Sequence, residues 1–226
     1  MGLRRFVSPL MPDAVLSGYR RLRYAIGRWL YEPRRFWTRC GRTYMQCFPP
    51  TGSRSEGIII GVLRELEVNS LLDVGCGYGR YLKAVRQELA LARLAGVDIS
   101  PTQIAQAREY LRDFPDVELR LASATNLPFA AQSFDAILTY GLMIHLRERE
   151  TERFLEEARR VGRHWGLFLE SSNNAERPYL NPAYYFAHDY RTLFARHGLH
   201  LEREILIEAR THEYLYVVRL APGASA

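Results

Sequence analysis

The chain has 226 residues, 47% of them hydrophobic, which is enough to bury one full core and favours one domain over two small ones. No apolar run approaches the roughly 20 residues of a membrane-spanning helix, and residues 1–14 carry arginines without the apolar stretch of a signal peptide, so the expected location is the cytoplasm. The net charge of +6 is uneven: residues 1–50 hold ten arginines against Asp13 and Glu32, a balance of +8 that leaves −2 for the rest. A segment so basic suits a phosphate-bearing substrate, nucleic acid or an anionic membrane surface, or is only a solvated helical face. The 3 cysteines, Cys40, Cys47 and Cys76, are odd in number and lack zinc or redox spacing, so reduced thiols and no metal site are expected.

In chain order, Val15, Leu16, Tyr19, Leu22, Ile26, Trp29 and Leu30 recur at three- and four-residue steps, which predicts a helix over Val15–Leu30. "FPPTGS" (Phe48–Ser53) then marks a turn or linker, and a second helix covers Glu56–Leu66. From Ser70 onward short apolar runs alternate with helical patterns. "SLLDVG" reads as a buried strand, and "RLAGVDI", "VELRLA", "FDAILTY" and "WGLFLES" as further strands. Tyr78–Ala90, Pro101–Arg112, Arg149–Gly162 and Asp189–His197 read as helices. "LHLEREILI" and "EYLYVVRL" are placed to pair as a closing antiparallel hairpin. The predicted class is therefore α/β: a doubly wound, mostly parallel sheet behind a basic N-terminal helical segment, residues 1–55. The main domain is expected over residues 56–220, and residues 221–226 as a disordered tail.

The stretch "LLDVGCGYGRYL" (Leu71–Leu82) ends a strand in Asp73 and runs straight into Gly75, Gly77 and Gly79. Alternate glycines allow unusual backbone angles and let a ligand lie on the main chain at the carboxyl edge of the sheet. The dinucleotide fingerprint GxGxxG would need its last glycine at position 80, which is Arg80, so the spacing suits a ligand without a pyrophosphate. "GVDIS" places Asp98 at the end of the next strand, where a carboxylate accepts hydrogen bonds from both hydroxyls of a ribose. The competing role for Asp98, capping the helix at Pro101, suits Ser100 better.

"DVGCGYG", "GVDIS" and "LPFAAQSFDAILTYGLMIHL", taken in order, resemble the class I S-adenosylmethionine-dependent methyltransferases over about residues 56–220. That resemblance implies a seven-stranded sheet with its last strand antiparallel, and S-adenosylmethionine as cofactor. It would lay Gly75, Cys76 and Gly77 against the methionine part, with Asp73 supporting the turn and the amino group and Gly79 also counted among the cofactor-binding residues. Asp98 would hold the ribose and Ile99 would pack on the adenine. Where the family often has an aspartate for the adenine amino group, this chain has Ser123, whose hydroxyl, or the amide of Ala124, would serve. Tyr140, at the end of the fourth strand, would approach the cofactor and the reacting group.

Methyl transfer mainly requires alignment of the acceptor and exclusion of water. A hydroxyl acceptor also benefits from a general base, for which His145 is the candidate, its alternative role being to pack or cap the next helix. The site after the fourth strand reads "TYGL" and not the Asn-Pro-Pro-Tyr of enzymes that methylate amino groups of adenine or glutamine, so oxygen is favoured over nitrogen. The long segment after the fifth strand would bring Tyr179, Tyr184, Tyr185, Phe186 and His188 over the acceptor, with Glu170 or Asn173 orienting it. Phe36, Trp37 and Tyr44, set among arginines, would form the opposite wall and favour an anionic small molecule. A competing use of Val15–Leu30 is an interfacial helix that contacts a membrane. Alternatives for the whole chain are an RNA or protein methyltransferase, although no separate RNA-binding module is evident, and a nucleoside-binding regulator without turnover. The oligomeric state is not legible.

Overall fold

The computed structural model describes residues 13–47, 53–171, 183–186, 188–209 and 212–220. Seven strands form one sheet: β1 (Ser70–Val74), β2 (Arg93–Asp98), β3 (Glu118–Leu121), β4 (Phe134–Tyr140), β5 (Gly162–Ser171), β6 (His200–Glu208) and β7 (Glu213–Arg219). Their order across the sheet is β3-β2-β1-β4-β5-β7-β6. β3 to β5 run parallel, and β7 runs antiparallel to both β5 and β6, as the doubly wound reading with a closing hairpin expected.

Four helices connect or cover these strands: α4 (Arg80–Glu88), α5 (Pro101–Tyr110), α6 (Glu148–Val161) and α7 (Tyr190–Arg196). Ahead of them stand α1 (Asp13–Trp29), α2 (Pro33–Cys47) and α3 (Arg54–Glu65). The predicted turn "FPPTGS" lies mostly outside the described residues, but its last residue caps α3. Ser53 Oγ accepts from Glu56 N at 3.3 Å while the Glu56 carboxylate accepts from Ser53 N at 3.1 Å, a reciprocal capping box. Ser100 caps α5, its Oγ accepting from Gln103 N at 3.2 Å, with Pro101 next in its first turn, so Asp98 is free of that duty.

β1 is buried along its whole length, the pattern of a central parallel strand covered on both faces. One face carries Phe134, Phe154, Phe168 and Phe194 in a single cluster. The other carries Ile59, Leu63, Leu71, Leu82 and Leu94. Each fully buried side chain of this size stabilises the fold by about 1.5–3 kcal/mol. At the amino edge of the sheet, Asp135 accepts from Asn69 N and Ser70 N at 3.1 and 2.9 Å, which sets β1 against β4.

Two contacts fix the N-terminal helices on this frame. Arg147, just before α6, donates to the carbonyls of Arg28 and Tyr31 at 3.3 and 2.8 Å, satisfying carbonyl groups at the end of α1. α2 rests on α5 at Gly41, where a Cβ would stand 3.3 Å from Gln103 Cγ and 3.4 Å from Thr102 Cβ. β1 has β2 on one side and β4 on the other, so the chain reverses direction of winding at β1 and leaves a crevice beyond the carboxyl ends of β1 and β4.

Candidate active site

The turn after β1 is drawn against β2 by its own backbone. Gly75 N and Cys76 N both donate to Val97 O, at 2.8 and 3.0 Å, and Gly77 N donates to Asp98 Oδ2 at 3.0 Å. Gly75 and Gly77 hold φ values of 77° and 55°, in the left-handed region that favours glycine. A Cβ on Gly77 would meet only Gln103 Nε2 and Tyr44 Cε1, at 3.8 and 3.9 Å, so this position faces open space. Ser100 N donates to Asp98 Oδ1 at 2.8 Å. Asp98 thus takes backbone N–H groups from Gly77, Ser100 and Ile99 and, with about four lone-pair sites on its two oxygens, keeps acceptor capacity toward the cavity. Burial pushes this carboxyl up to about 6, so it is mainly ionised at neutral pH.

The rest of the turn supports this cradle from behind. Asp73 is buried at the end of β1, and burial together with the charge of Asp98 pushes its carboxyl up to about 8. Cys76 is packed into the core, its sulfur 2.9 Å from where a Cβ on Gly96 would stand. Gly79, with φ of 87°, caps α4, and a Cβ there would stand 2.7 Å from Leu111 Cδ1. Asp73, Cys76 and Gly79 stand behind the residues that line the cavity. Gly79→Ala is expected to lower stability by about 1–3 kcal/mol through left-handed strain and overpacking, read as a reduced melting temperature.

The cavity over this turn has a volume of about 400 Å³, within the range of small-molecule sites. Asp98, Ile99, Ser123 and Ala124 line one side together with Gln103 and Leu142. Ser123 Oγ lies 2.9 Å from Thr125 Oγ1 and accepts from Thr125 N at 3.2 Å, so this residue shapes its own loop as well as the wall.

On the opposite side, Trp37, Tyr44, Tyr140, His145 and Tyr184 converge. The rings of Trp37 and His145 lie 4.7 Å apart, and Phe36 lies 4.4 Å from Tyr184. Trp37 Nε1 donates to Tyr31 Oη at 3.2 Å, and Tyr31 Oη donates to the His145 carbonyl at 3.4 Å, which links α2 to the 3-10 turn Met143–His145 after β4. His145 Nδ1 lies 3.0 Å from Tyr184 O. A carbonyl only accepts, so Nδ1 carries the proton and the neutral ring keeps its lone pair on Nε2. Burial lowers this imidazole to about 4, which keeps it uncharged at neutral pH.

Three expectations are corrected here. Glu170 does not orient an acceptor: fully buried, it accepts from Thr139 Oγ1, Leu142 N and Met143 N at 3.0–3.1 Å and from Ile144 N at 3.3 Å, holding the turn that carries His145. His188 faces away from the cavity, its Nε2 at 2.9 and 3.0 Å from the carbonyls of Met143 and Leu146. The third concerns charge. The wall contains Asp98, Glu150 and Glu213 and, among the described residues, no arginine or lysine, so the anionic acceptor expected from the basic N-terminus has no counterpart in it. Asn173 and Tyr179 lie outside the described residues. Sequence reading missed Tyr31, Leu142 and Glu213. Tyr31 lies between α1 and α2, outside any helical repeat, and Glu213 reaches the site only because β7 returns antiparallel beside β5.

Residues 71–166 match the family described as "Methyltransferase domain". A demethylmenaquinone methyltransferase from Tropheryma whipplei is 31% identical over 158 residues, which cover 70% of this chain and 60% of that protein. Methyltransferase GfsG of Streptomyces halstedii is 32% identical over 123 residues, 52% of this chain and 43% of that protein. The chain thus spans less than two thirds of the length of either relative. Among solved structures, a SAM-dependent methyltransferase from Aquifex aeolicus superposes with a TM-score of 0.60 at 17% identity, covering 88% of this chain and 98% of that one.

Proposed function

We propose, for a chain whose residues 71–166 belong to the methyltransferase-domain family and whose sheet is that of the class I S-adenosylmethionine-dependent methyltransferases, that it transfers a methyl group from S-adenosylmethionine to a small-molecule acceptor, at oxygen in preference to nitrogen. The observation that carries this reading is Asp98, whose carboxylate clamps Gly77 and still faces the cavity with acceptor capacity for a hydroxylated ligand. Such a carboxylate suits a ribose. Ile99 and Leu142 offer apolar contact to the base, and the bare backbone at Gly75 and Gly77 admits the amino-acid part. Bound S-adenosylmethionine supplies a methyl group on a sulfonium, already electrophilic.

The chain's own residues then have three tasks. Trp37, Tyr44 and Tyr184 exclude water and give a flat acceptor an aromatic surface. Residues 1–55 act as a cap through α2. His145 Nε2 takes the proton that a hydroxyl acceptor must lose. Its low basicity limits that contribution: His145→Phe is expected to lower turnover about tenfold to a hundredfold, below the usual range for a base tuned to neutral pH, with cofactor affinity unchanged. Full activity of the variant would remove His145 from the chemistry.

The reading as a whole is tested by S-adenosylhomocysteine release with small hydroxylated aromatic compounds, with amines and with total RNA. Turnover of the hydroxylated compounds is expected. Release with RNA alone would overturn the small-molecule assignment, and release with amines alone would overturn the preference for oxygen.

A further inference from the structure

The arginines absent from the cavity wall stand on α1 and α2, which together hold eight of them, against Asp13 on α1 and Glu32 between the two helices. Arg20, Arg21, Arg23, Arg34, Arg35 and Arg39 are exposed. α1 is also turned inside out relative to an ordinary surface helix. Tyr19, Leu22, Ile26 and Trp29, with Leu30 just after it, are between 49% and 83% exposed, and among the described residues the other exposed large apolar side chains, Leu121 and Leu206, are less open at 46% and 44%. Their three- and four-residue steps place them on one stripe.

The other side of α1 meets the body through polar groups and a small residue. Arg28 donates to Tyr24 Oη at 2.6 Å and to Tyr185 O at 3.2 Å, and Gly27 sits so close to Ala183 that a Cβ there would stand 2.7 Å from Ala183 Cβ. The helix thus meets the body through Tyr24, Gly27 and Arg28, and leaves both its apolar stripe and Arg20, Arg21 and Arg23 facing outward. Among the described residues no helix is long and apolar enough to cross a membrane.

We propose that α1 lies in the plane of an anionic membrane surface, with Leu22, Ile26 and Trp29 in the acyl boundary and the arginines of α1 and α2 at the phosphate headgroups. An apolar stripe with a tryptophan and arginine-rich flanks has the composition of an interfacial helix, and the positive charge has a ready counter-charge in an acidic leaflet. Charge complementarity favours this occupant over a second copy of the chain, which would bring two N-terminal segments of +8 each face to face. Tyr31, Phe36 and Trp37 follow directly on α1, so one continuous stretch carries both the membrane face and part of the cavity wall.

Flotation of the full chain with vesicles of phosphatidylcholine alone, or of phosphatidylcholine with phosphatidylglycerol, tests this. Binding to the phosphatidylglycerol vesicles is expected, with a blue shift of tryptophan emission and weakening as ionic strength rises. Leu22→Glu with Ile26→Glu should reduce partitioning about tenfold or more per residue, the effect of one large apolar side chain left in water. The same double variant should keep the thermal shift given by S-adenosylmethionine, which separates loss of the membrane face from loss of the fold. Absence of binding to phosphatidylglycerol vesicles would overturn the proposal, as would a dimer in solution that the double variant dissolves.

Discussion

Asp98→Ala is expected to weaken S-adenosylmethionine binding by about 3 kcal/mol or more, over a hundredfold, because two hydrogen bonds to a charged acceptor are lost at about 1.5–3 kcal/mol each. The same change removes the acceptor of Gly77 N, so the glycine turn loses its tie to the end of β2 as well. Asp98→Asn keeps one carbonyl oxygen and should lose less. The pH dependence has a definite sign. With this carboxyl pushed up to about 6 by burial, a ligand that donates to the anion should bind with constant affinity above that pH and more weakly below it. Calorimetric titration of wild type and both variants reads all of these. Unchanged affinity in Asp98→Ala would mean that the ribose is held elsewhere.

Glu170→Ala should destabilise the fold by about 3–5 kcal/mol, since three backbone N–H groups in a buried turn lose their acceptor at about 1–3 kcal/mol each and water reaches only part of the gap. For a chain of this length that is a fall in melting temperature of about 10 °C or more. Glu170→Gln keeps one oxygen and should lose about half as much. Burial holds the native carboxyl up to about 7 against an ordinary value of 4.5. The native state therefore retains a proton that the unfolded chain has released. This group's contribution to stability is fully present below about pH 4.5 and is lost as pH rises through 7. Glu170→Gln should flatten that part of the stability profile. A variant as stable as wild type would show that the turn carrying His145 is held by other contacts.

Much of the fold was legible because each parallel strand is a short apolar run between helical patterns, and the closing hairpin breaks that alternation visibly. α2 was not legible as a helix: its arginines mask the spacing of Phe36, Trp37, Cys40 and Tyr44, which becomes clear only when Gly41 is seen pressed on α5. At the site, Asp98 could be placed because strand, turn and helix locate a carboxylate at one edge. Glu170 misled because position in sequence tells that a carboxyl reaches the sheet edge, not which way it turns. It turns inward, to the backbone N–H groups after β4. The basic N-terminus misled likewise about the acceptor, since charge counted along the chain does not say which helix face holds it.

The most direct test of the cofactor assignment is thermal unfolding of the full chain with S-adenosylmethionine, S-adenosylhomocysteine or NAD. At about 100 times its dissociation constant a ligand adds roughly 2.7 kcal/mol, a rise of about 5–10 °C for a chain of this size. That rise is expected with the two sulfur nucleosides and not with NAD. No shift at saturating concentration, or an equal shift with NAD, would contradict a site built by Gly75, Gly77 and Asp98 for S-adenosylmethionine.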